Sequence, residues 1–92
     1  MATLCVTYDL SKPGREYNDL YEYLKSFGTW CRCLESTWLI NTNKLCKDVR
    51  DEILKIIDSN DKLLVFSVGS DWAGYGLSKE IYDWLKNNWQ SI

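Results

Sequence analysis

Apolar and polar positions alternate along this chain with two distinct periods. From Thr3 to Asp9 the period is two: Leu4, Val6 and Tyr8 fall on one side, Cys5 and Thr7 on the other. Both sides are largely apolar, which predicts a central strand. Pro13-Gly14 breaks the chain, and the period then lengthens. Tyr17, Leu20, Tyr21, Leu24 and Phe27 share one helical face, with Glu16, Asp19, Glu22 and Lys25 opposite, so a helix is predicted from Arg15 to Phe27. Gly28 stands where a left-handed C-terminal cap belongs. Thr29 to Thr42 reads as two strands joined by a tight turn near Glu35-Ser36-Thr37, with a bulge as the alternative offset. A second helix is predicted from Lys44 to Asp58, capped by Thr42 or Asn43. Its buried stripe is Leu45, Val49, Ile53, Ile56 and Ile57. Lys62 to Val68 is apolar on both faces and predicts another central strand. Gly69 to Gly76 is a loop by composition. A third helix follows from Ser78 to Asn88, with Leu77, Ile81, Trp84, Leu85 and Trp89 as its stripe.

The order β-α-β-β-α-β is the ferredoxin-like split pattern, an α+β fold, here with an extra C-terminal helix. Residues 3–68 form the expected core of a single domain spanning 1–92; residues 69–92 add the aromatic loop and helix. In that arrangement the first two helices cover one sheet face. The other face must find a cover, and a second copy of the chain is the expected one, giving a homodimer.

Composition sharpens this picture. A chain of 92 residues buries only about 60–65% of its unfolded surface. Yet it carries five Trp and six Tyr, more large rings than so thin a core hides, so some are expected at an interface or in a pocket. The net charge of −2 argues against a duplex-coating protein. With no His, the commonest general base is missing. Neither a signal peptide nor an apolar run long enough to span a membrane is visible. The four cysteines (Cys5, Cys31, Cys33, Cys46) then read as reduced, buried thiols in a cytoplasmic protein. Cys31 and Cys33 are expected to face the same side of a strand, at a spacing too short for a structural zinc pair.

Tyr8-Asp9-Leu10, Lys12-Pro13-Gly14, Tyr17, Leu20-Tyr21, Lys25-Ser26, Gly28, Trp30, Leu34 through Leu39 and the Trp72-Ala73-Gly74 loop together resemble a group of small bacterial and phage proteins often labelled SinR-like. No helix-turn-helix accompanies the label. More distantly, the element order with an acid closing the first strand is similar to the small CRISPR-associated nuclease that partners the spacer integrase, and to the virulence-associated protein D ribonucleases. Those families are ferredoxin-like homodimers whose strand-one aspartates face each other around a divalent metal. The resemblance implies a role in antiviral defence, counter-defence or a toxin–antitoxin pair. It also implies Asp9 as catalytic and metal-binding carboxylate, with Tyr8 beside it and Arg15 as the basic residue that follows.

Two Asp9 carboxylates about 5 Å apart would repel by roughly 3 kcal/mol at an effective dielectric of 20. Such a pair recruits a cation, and Mg²⁺ or Mn²⁺ would activate water there. The plainer reading has Asp9 accepting hydrogen bonds from the turn over Ser11–Gly14. Trp72 and Tyr75 are candidates to stack on a base, and Ser78 and Lys79, at the start of the third helix, to meet a phosphate. Packing on the core or on a partner is the alternative for both rings. Arg32, if it lies on the uncovered sheet face, would meet a phosphate or an acid of a partner chain; otherwise it makes a surface salt bridge. No complete catalytic set assembles, so the expectation is a binding protein for a nucleotide, RNA or protein partner, with a metal-dependent nuclease using Asp9 as the alternative.

Overall fold

The computed structural model describes residues 1–12 and 17–91. Strands β1 (Ala2–Asp9), β2 (Trp30–Leu34), β3 (Thr37–Thr42) and β4 (Lys62–Ser67) form one antiparallel sheet in the order β2-β3-β1-β4. Helices α1 (Asn18–Lys25) and α2 (Cys46–Leu54) follow β1 and β3, and α3 (Lys79–Asn88) follows β4. The fold is α+β. β3 lies between β1 and β2, antiparallel to both, so β1 and β2 run the same way.

The first sheet face carries Leu4, Val6, Tyr8, Trp38 and Ile40. Leu20 and Leu24 of α1 and Val49 and Ile53 of α2 pack on it, as their spacing requires. Burying one such side chain stabilises the fold by about 1.5–3 kcal/mol. Gly28, at φ +82°, ends the α1 segment with its N–H on the Lys25 carbonyl, the left-handed turn expected there. The β2–β3 turn is short, and the register shifts between Arg32 and Leu34, the bulge that a turn lacking glycine makes room for. Ser78 caps α3, its hydroxyl accepting from the Ile81 N–H.

Four expectations change. The strand over 62–68 is an edge strand, because β4 pairs with β1 alone. Apolar residues on both faces do not fix how many hydrogen-bonded neighbours a strand has, and on this one Leu64 (59%) and Phe66 (44%) are exposed. Helix α2 starts two residues late: Thr42 bonds the Lys44 N–H instead of capping the helix, and Leu45, 61% exposed, drops out of the buried stripe. Arg32 is on the helix-covered face, its guanidinium 4.6 Å from the Tyr21 ring centre and donating to the Glu35 carbonyl through Nε and Nη2. Arg15, with Pro13 and Gly14, lies outside the described residues.

The fourth change matters most. The second sheet face does not wait for another chain. Cys5, Cys31, Leu39 and Val68 on that face are packed by Leu85 and by Trp72, Leu77, Ile81, Trp84 and Trp89 of the C-terminal segment. Backbone and side chains tie the segment down. Thr3 N–H donates to the Gln90 carbonyl, Gln90 N–H to the Thr3 hydroxyl, and Asn41 Nδ2 to the Asn88 carbonyl. Thr3 and Asn41 are buried and bonded to each other, so these two polar residues serve as the latch for the chain end.

Candidate functional site

The C-terminal cover does not fill the whole of the second sheet face, and the gap is a pocket that reaches from Leu34 on β2 to Phe66 on β4. Its floor is Cys5, Leu39 and Val68; its back wall is Trp72, Leu77, Leu85 and Trp89; its rim is Leu34, Phe66 and Tyr75. The volume is about 390 Å³, within the size range of small-ligand and side-chain pockets. No charged residue lines it. Tyr75 is 98% exposed, and Leu34 (58%) and Phe66 (44%) stand beside the opening.

Local sequence builds this shape. The bulge after Arg32 turns Leu34 from the helix face to the pocket rim. Gly74 lets the loop close on α3: a Cβ there would stand 2.8 Å from Leu77 Cδ1 and 3.3 Å from Tyr82 Cε1. Trp89 donates its indole N–H to the Gly69 carbonyl at 2.7 Å and lies 6.2 Å, ring to ring, from Trp72, which sets the back wall. Cys31 and Cys33 share the second face as expected, their sulfurs 3.3 Å apart. Burial raises the thiol pKa of Cys5, Cys31 and Cys33 above the ordinary value, so these groups are protonated, poorly nucleophilic packing atoms.

Of the residues singled out in the sequence, Trp72 and Tyr75 meet here. The others lie elsewhere. Tyr8 is buried under the helices; its hydroxyl accepts from Trp38 Nε1 at 2.9 Å, and burial raises its pKa, against the pull of that bond and of Arg32. Ser78 is occupied as a cap, and Lys79 pairs with Asp83 at 2.8 Å. Asp9 is exposed at the end of β1, opposite Lys62 in register. Among the described residues no group of three ligating side chains surrounds it or any other point.

The turn after β1 is held by a different acid, one that sequence reading missed. Asp61 Oδ1 accepts from Ser11 N–H (2.7 Å), Ser11 Oγ (2.9 Å) and Tyr17 Oη (3.1 Å), and Oδ2 accepts from Asp58 N–H (2.8 Å). Its signal was the Asn60-Asp61 pair just before the last strand, a common turn composition. Burial works against the charge, yet the bonds from Ser11, Asp58 and Tyr17 outweigh it and lower the pKa. A depressed folded pKa contributes stability that is present above the unfolded value, about 3.9, and is lost as pH falls through the folded one. Asp61→Asn is expected to lower the melting temperature by about 5 °C at pH 7 and to flatten its fall below pH ~4. Calorimetry across that range checks both; an unchanged acid limb would place the pH sensitivity elsewhere.

No protein-family model matches the chain.

Proposed function

We propose that this chain is a non-catalytic interaction protein of the ferredoxin-like class, acting as a homodimer, whose apolar pocket receives a hydrophobic side chain from a protein partner. The class rests on the β-α-β-β-α-β order and on β3 lying between the parallel β1 and β2. One observation carries the function: an uncharged pocket of side-chain size, rimmed by Tyr75, Leu34 and Phe66, on a protein otherwise rich in charged residues. Rings and aliphatic side chains around an apolar pocket are the makings of a hot spot. A nucleotide would also need donors for its phosphates, and the lining offers no cation. The reading is in line with what the resemblance to small bacterial and phage proteins implies, a role through contact with a partner.

The test is a selection of short peptides on immobilised protein, followed by titration calorimetry. Selected peptides are expected to share one aromatic or aliphatic anchor. Tyr75→Ala and Leu34→Lys, both on exposed side chains, are expected to weaken binding on the order of tenfold or more with the fold unchanged. Peptides that bind both variants as well as wild type, or that a nucleoside monophosphate displaces, would overturn the reading.

A further inference from the structure

The two edges of the sheet are not alike. β2 is short, carries the bulge, and has Arg32 folded back onto the Glu35 carbonyl, all features that discourage strand addition. β4 has none of these. It pairs with β1 without a break in register, and its one charged residue, Lys62, is at its start. Among the described residues no other backbone hydrogen-bonds to its outer side. Leu64, 59% exposed, and Phe66 project from it on the pocket face. A regular, apolar, uncapped edge is a template for another strand.

We infer that the outer edge of β4 is the homodimer interface, pairing antiparallel with β4 of a second copy about a two-fold axis at Val65. The inference rests on the homodimer reading above and assigns its interface. The strand is self-complementary. Residues of equal parity face each other across an antiparallel pair, so every side chain stays on its own sheet face. With Val65 on the axis, Leu64 stands opposite Phe66 of the partner subunit and Leu63 opposite Ser67 of the partner subunit. The Lys62 end of each strand lies beside the partner's uncharged Ser67–Gly69 end, so no like charges meet. Leu64 of the partner subunit then adjoins Phe66 outside the pocket lining, and the two pockets open on the same sheet face on either side of the axis.

This geometry has a consequence for Asp9. Asp9 is level with Lys62, three residues from the axis, on the strand inside β4. At ordinary strand rise and spacing the two Asp9 carboxylates then sit roughly 25 Å apart, too far to share a metal. Edge pairing and a nuclease centre on the axis exclude each other.

Sedimentation velocity between about 1 and 300 µM, a span that covers ordinary dimer affinities, tests the interface. Wild type is expected to dimerise. Leu64→Lys and Phe66→Glu are each expected to weaken self-association at least tenfold, and the two mixed are expected to form a heterodimer, because lysine then faces glutamate across the new pair. A wild type that stays monomeric throughout, a dimer indifferent to both variants, or a mixture that stays monomeric would each overturn the inference. Leu64 does not line the pocket, so peptide binding by monomeric Leu64→Lys reports on the pocket separately. Dimerisation without peptide binding would sink the partner reading and leave the interface standing.

Discussion

Trp38→Ala is expected to cost about 3–5 kcal/mol of folding stability. Trp38 is fully buried on β3, with ring centres of Trp30 and Tyr21 at 5.2 and 6.2 Å and the Arg32 guanidinium at 5.4 Å. Its indole N–H bonds the Tyr8 hydroxyl. Truncation leaves a large void in a close-packed core and removes one partner of a buried hydroxyl. Against the usual range of about 5–15 kcal/mol, of which a domain this small is at the low end, that loss should leave the variant largely unfolded at 37 °C. Urea titration followed by circular dichroism measures the loss, and Trp38→Phe should recover more than half of it. A midpoint shift equivalent to less than about 1 kcal/mol would mean that the first face is not the main core.

Truncation after Val68 is expected to abolish cooperative folding. The cut removes Leu85 and the tryptophans that cover Cys5, Cys31 and Leu39. It also strips Thr3 and Asn41 of their bonds to Gln90 and Asn88. Each apolar side chain returned to water costs about 1.5–3 kcal/mol, and several are returned at once. The fragment should show no sharp thermal transition, should bind a hydrophobic dye, and should sediment as aggregates through its bared sheet face. A monomeric fragment with a sharp melt would show that the C-terminal segment is an ornament and not a layer of the fold.

The third layer explains why part of the sequence reading went astray. The ferredoxin-like pattern over residues 3–68 predicts an exposed sheet face, and a second copy is the obvious cover for one. The stripe Leu77, Ile81, Trp84, Leu85, Trp89 was visible as a helix face, but a stripe does not say what it covers. Two buried polar residues, Thr3 and Asn41, decided it, because they bond the chain end over the sheet. Five Trp and six Tyr are more large rings than a thin core hides. Of those, Trp72 and Tyr75 reach the pocket, while Phe66, counted as strand interior, stands on its rim.

Asp9 stands out in the sequence as the acid that closes the first strand; in the structure it is exposed at the strand end. Asp61 attracts no such notice in the sequence, yet it collects the hydrogen bonds of the turn, because three of its four donors come from Ser11 and Tyr17, more than 40 residues away, and only the Asp58 N–H is local.

Period and punctuation alone determined the seven elements, the buried faces of α1 and α3, the central place of β1 and the left-handed stop at Gly28. These depend on neighbours within a few residues, where backbone geometry dictates which side chains share a face. Only the tertiary structure decided which strand is an edge, which chain covers the second face, and where an apolar hollow remains. Those are matters of long-range pairing and of volume left unfilled, and no local pattern records either.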